Sequence, residues 1–216
     1  MLVDLYNLAN WLARAFGNGE PEYWSNRFDL VRLAQMVVTK WRLPSISEIH
    51  VFFGSLPDPD ATTTFPCTRN YALRNVQSQA DAGSLILHKQ RTRPDSDFEC
   101  PYCQVECAVC FNGHVVCDKR PKEKGVDVAL AIEGLEAGLM RGVRHILVFS
   151  QDNDLAPMVD RLKEYHSENR SIPWRIAGAY PRPSSKNIGS RPLRGTTPAD
   201  FTFGEYAKTA LEWRRK

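Results

Sequence analysis

The clearest hydrophobic pattern lies late in the chain. The apolar run Ile146-Leu147-Val148-Phe149 breaks into a polar turn, Ser150 to Asp154, and then into a helical pattern with Leu155, Met158, Val159 and Leu162 on one face. This is a strand, a turn and an amphipathic helix. Apolar runs at the N-terminus (Met1-Leu2-Val3) and over 49–54, 85–87 and 174–179 predict further buried strands. Between them, helical spacing predicts helices over 8–16, 27–42 and 69–82, the second capped by Ser25 and stopped by Pro44. Its buried face reads Leu30, Ala34, Val37, Val38 and Trp41. From Gly125 onward, Val128, Ile132, Leu135 and Leu139 recur at helical spacing, while Asp127 shares a stripe with Ala131, Gly134 and Gly138. A loop over 181–198 precedes a last helix over 203–214. Strands separated by helices predict a doubly wound α/β fold around a mostly parallel sheet.

That architecture makes the acidic residues informative. In a doubly wound sheet the first strand commonly lies beside the strand that follows the chain reversal, and ligands bind between their carboxyl ends. Asp4 ends the first strand and Asp152 follows the fourth, so the two are expected to face each other. Asp127 and Asp154 can join them. Carboxylates gathered in one cleft repel each other unless cations sit among them, and oxygen ligands suit Mg²⁺ or Mn²⁺. Asn7 and Ser150 are placed to hold a ligand water or a phosphate. Each acidic residue also has a plainer reading. Asp152 or Asp154 can serve as a helix cap, and Asp127 can be a first-turn residue favoured by the helix dipole.

Composition narrows the class. Lys+Arg of 28 against Asp+Glu of 25 leaves a net charge of +3, so no global field announces a polyanion partner. The apolar runs fall far short of the roughly 18 residues that span a membrane, and no secretory signal is visible, so a cytoplasmic protein is expected. The 216 residues read as a single domain, 1–216, in which 93–122 lacks a sustained period and forms an insertion.

Cysteines dominate that insertion. Cys100, Cys103, Cys107 and Cys110 form C-x₂-C-x₃-C-x₂-C, followed by His114 and Cys117. Paired C-x-x-C knuckles offer four thiolates to a tetrahedral structural Zn²⁺. The short gap between them leaves Cys117 or His114 as alternate ligands, and a redox dithiol is the other reading. Cys67 stands apart as a small hydrophobe. Around the knob, Arg91, Arg93, Lys119, Arg120, Lys122 and Lys124 can track a phosphate backbone, or form a solvated face; Arg69, Arg74, Arg191 and Arg194 are weaker candidates.

Three of these features recur together. Asp4-x-x-Asn7, Lys124-Gly125-Val126-Asp127 and Ser150-Gln151-Asp152-Asn153-Asp154-Leu155 resemble, in order, the D-x-x-N, K-G-V-D and S-G-D-S-D-F signatures of the NYN-domain family of PIN-like ribonucleases. Ala199-Asp200-Phe201 is similar to that family's late A-D-F element. The resemblance covers most of the chain outside roughly 90–122. Gln151 replaces the usual Gly, Leu155 the usual Phe, and Glu133 stands where many members have Asp. The resemblance implies a three-layer α/β/α PIN-like fold, here with a small zinc-binding insertion. It also implies metal-dependent endoribonuclease activity on RNA, with Asp4, Asp127, Asp152 and Asp154 around Mg²⁺ or Mn²⁺. Two alternatives stay open: an RNA- or protein-binding module with a vestigial site, and another metal-dependent phosphodiesterase or DNA nuclease.

Overall fold

The computed structural model describes residues 1–16, 29–54, 76–90, 125–168, 174–183 and 191–209. Their strands are β1 (Leu2–Asp4), β2 (His50–Gly54), β3 (Ile86–Gln90), β4 (His145–Phe149), β5 (Arg175–Pro181) and β6 (Thr197–Phe201). They form one sheet in the order β3-β2-β1-β4-β5-β6, with every neighbouring pair parallel. The order reverses between β1 and β4, which makes that boundary the switch point of the sheet.

Helices cover both faces. On one side lie α1 (Leu5–Phe16), α2 (Leu30–Lys40) and the helical backbone over 76–81. Their core joins Leu5, Leu12, Leu33 and Val37 to the sheet residues Val3, Val51, Phe149 and Ala179. On the other side lie α3 (Val126–Leu135, its last turn widening to π-helical over Glu136–Met140) and α4 (Ala156–Glu168). Here Leu130, Met158 and Leu162 pack on Leu2, Phe52, Val148 and Ile176. Alternate sheet residues feed alternate cores, as the period of a strand requires. The result is a three-layer α/β/α fold. A short α5 (Phe203–Ala207) closes the first core, with Tyr206 stacked on Phe16 at a centroid distance of 5.5 Å.

Several elements differ from their expected form. Helix α1 starts at Leu5, directly on β1, because Asp4 ends the strand and caps the helix in one step: its Oδ1 accepts from the Asn7 N–H at 3.0 Å. Helix α2 begins at Leu30 rather than near 27, capped by Asp29 instead of Ser25, whose Oδ1 accepts from the Arg32 N–H at 3.0 Å. It ends at Lys40, ahead of Pro44, where Arg42 turns the chain with a φ of 51°.

The expected loop over 181–198 hides the start of a strand. Thr197–Phe201 forms β6 on the sheet edge, paired only with β5, a position that tolerates Pro198.

Helix α3 turns a different face inward from the stripe that reveals it. Val128 and Ile132 are exposed, while Val126, Leu130, Gly134, Ala137 and Gly138 are buried. The two glycines are what let α3 approach α4. A Cβ on Gly134 would lie 2.4 Å from Met158 Sδ, and one on Gly138 would lie 2.4 Å from Leu162 Cδ2. On α4 the expected face holds, with Leu155, Met158, Val159 and Leu162 all buried.

Candidate active site at the switch point

The register of β1 and β4 builds this site. Leu2 pairs with Val148 and Val3 with Phe149, so Asp4 ends β1 alongside Ser150, the first residue of the turn that carries Asp152 and Asp154. Asp4 points to the α3/α4 side, the same side as Leu2, and is buried. Helix α3 enters from that side. Its first turn carries Asp127, immediately after Gly125, whose φ of +82° is one that an L side chain rarely adopts. A left-handed residue here turns the chain into the helix and sets Asp127 at its head.

The polar neighbours hold the turn rather than stand free. Asn7 Oδ1 accepts from the Gln151 N–H at 3.2 Å, joining the start of α1 to the end of β4. Ser150 Oγ accepts from the Asp152 N–H at 3.2 Å, and Asp152 Oδ1 accepts from the Asp154 N–H at 3.0 Å. Asp152 is therefore the cap of the short 3₁₀ turn Asn153–Leu155 that leads into α4. Gln151, where a glycine is usual in the resembling family, is buried, and its side-chain oxygen accepts from the Arg191 N–H at 3.4 Å. It ties the segment ahead of β6 to the site.

Electrostatics single out Asp127. Burial, followed by the charges of Asp152 and Asp154, raises its carboxyl above the ordinary carboxylate value. Asp127 thus feels the charges of Asp152 and Asp154. The carboxylates are not packed into one ready-made coordination sphere, because no three ligand atoms of Asp4, Asp127, Asp152 and Asp154 lie within 4.8 Å of one another.

Two acidic residues of the resemblance go elsewhere. Glu133 sits six residues after Asp127, about 9 Å further along α3. There it pairs with Arg141 and approaches His50 Nδ1 at 3.5 Å. Asp200 lies on β6, three strands from β1 and so roughly 14 Å away. It is buried and forms an ion pair with Arg182.

Among the described residues, three potential ligand atoms come within 4.8 Å of one another at a single place, formed by His50, His88 and Glu133. Sequence reading marks Glu133 as a departure from the resembling pattern but singles out neither histidine. The signal that finds them is register: His50 and His88 point to the same face of neighbouring strands, two positions out of step. Burial, and then the neighbouring His50, hold the His88 imidazole below its ordinary value.

The cysteine set (Cys100, Cys103, Cys107, Cys110, His114, Cys117), Cys67 and the basic residues Arg69, Arg74, Arg91, Arg93, Lys119, Arg120, Lys122 and Lys124 lie outside the described residues. Arg191 and Arg194 are exposed on the approach to β6. No described helix is long and apolar enough to cross a membrane. No family model, curated protein or solved structure matches the chain.

Proposed function

We propose that this protein is a metal-dependent endoribonuclease of PIN-like type. The observation that carries the reading is the pairing of β1 with β4, which sets buried Asp4 beside the turn bearing Asp152 and Asp154, opposite a desolvated Asp127. In this reading Asp4, Asp127, Asp152 and Asp154 would hold Mg²⁺ or Mn²⁺. Held there, such an ion would supply the polarisation that turns a water into a nucleophile for an RNA phosphodiester and would offset charge on the phosphoryl oxygens. Asn7 and Ser150 hold the carboxylates in place. The cysteine-rich insertion binds a structural Zn²⁺, and the basic residues around it follow the RNA backbone. Cleavage of single-stranded and structured RNAs with Mn²⁺, wild type against Asp152→Asn, tests the reading. Loss of cleavage in the variant is expected, and equal cleavage by both proteins overturns it.

A second reading draws support from the spacing of the carboxylates, which forms no inner sphere by itself. It makes the protein an RNA-binding module without turnover. RNA binding that survives chelation, with no cleavage under any divalent metal, is its signature.

A further inference from the structure

On the opposite half of α3 from Asp127, three elements bring nitrogen and oxygen ligands together. His50 Nδ1 lies 3.0 Å from His88 Nε2 and 3.5 Å from Glu133 Oε1. We propose that His50, His88 and Glu133 form a Zn²⁺ site, separate from the carboxylate cleft. A tetrahedral zinc ion with bonds of about 2.0–2.1 Å holds its ligands about 3.3 Å apart. The two measured separations straddle that edge. The imidazole rings are within 18° of parallel with centroids 5.2 Å apart, so with their nitrogens at 3.0 Å they meet edge to edge. Across that gap one ring nitrogen donates and the other accepts.

Proton bookkeeping also leaves room for a cation. The other nitrogen of His50, Nε2, lies 3.1 Å from Glu48 Oε2. With the His50 Nε2–H given to Glu48, the Nδ1 lone pair accepts the His88 Nε2–H, and an ion entering the gap replaces that proton. A histidine ligand that gives its remote N–H to a carboxylate is the usual arrangement at zinc, because the carboxylate fixes the tautomer and the ring orientation. His50 and Glu133 are largely buried, their side chains only 8% and 12% exposed, on a strand and a helix that hold them in place. Two imidazoles and one carboxylate suit Zn²⁺ and leave its fourth position open. His50 and Glu133 line a groove together with Glu48, Arg141 and His145. Arg141, its side chain 45% exposed, is the competitor: its guanidinium pairs with the same Glu133 oxygen and must swing aside when the ion binds.

Co²⁺ titration of the metal-stripped full chain tests the site. Nitrogen and oxygen ligands give visible ligand-field bands without the near-ultraviolet thiolate charge-transfer band of a cysteine site, so the two kinds of site are read apart. Wild type is expected to bind one more equivalent of Co²⁺ with the thiolate-free spectrum than His88→Gln does. Glu48→Gln, a change at an exposed residue that leaves all three ligands in place, is expected to weaken that equivalent about 10- to 100-fold. Arg141→Gln is expected to tighten it. Equal stoichiometry and spectra for wild type and a folded His88→Gln overturn the proposal. If His88→Gln does not fold, unchanged affinity in both Glu48→Gln and Arg141→Gln overturns it equally. None of these outcomes depends on RNA cleavage.

Discussion

Asn7 and Gln151 are 144 residues apart, yet the Asn7 side-chain oxygen accepts the Gln151 backbone N–H at 3.2 Å. The bond spans the switch point, from the first turn of α1 to the first turn after β4. Asp4 lies three residues before one partner and Asp152 one residue after the other. The separation of the two carboxylates is therefore set by a strut as well as by the pairing of their strands.

Removing the strut has a defined cost. Asn7→Ala forfeits one hydrogen bond of about 1 kcal/mol, a fall of about 2–4 °C in Tm for a chain of this size. Thermal unfolding checks the stability, and cleavage assayed well below Tm checks the site. In the nuclease reading, turnover falls by more than the loss of folded protein explains.

The close approach of α3 and α4 predicts a size limit at Gly138. Gly138→Ala gains about 1 kcal/mol of helix propensity, which offsets the shift forced on Leu162. Gly138→Val gains less and adds a branched side chain against Leu162, so it destabilises by about 1–3 kcal/mol. Denaturant unfolding of both variants orders them. Equal stability would mean that the helices are further apart than described.

Asp127 links stability to pH. Burial first, then Asp152 and Asp154, raise its carboxyl above its ordinary value of 3.8, so the folded state holds this proton more tightly than the unfolded chain does. Its contribution to stability is present below 3.8 and is lost as pH rises through the raised folded value. Asp127→Asn removes the penalty. In chelator, the variant is expected to melt above wild type at pH 7, and the difference to close in acid. A variant less stable than wild type at pH 7 contradicts this assignment.

How much of this was legible before the structure depends on the kind of signal. The strand–turn–helix around Phe149, Asp152 and Leu162 follows from local periodicity, and the neighbouring of β1 and β4 follows from the general logic of doubly wound sheets. Local pattern fails where tertiary contact decides. Val128 and Ile132 mark α3 as a helix, but glycine allows the close approach to α4, so Gly134 and Gly138 face inward and the larger residues stay exposed. Thr197–Phe201 carries a proline and few branched residues, and only its edge position makes it a strand. His50 and His88 are unremarkable singly, and Glu133 stands out only as a departure from the resembling pattern. Their meeting depends on the register of β2 with β3 and on the depth of Glu133 along α3, and no short-range spacing encodes either.

The central claim is that the cleft between β1 and β4 holds a catalytic divalent cation. Anomalous diffraction from crystals soaked in Mn²⁺ tests it most directly. The account predicts a manganese peak between the carboxylates of Asp4 and Asp152, lost in Asp152→Asn. A crystal with no peak there, while RNA cleavage persists in the same Mn²⁺ solution, would contradict it.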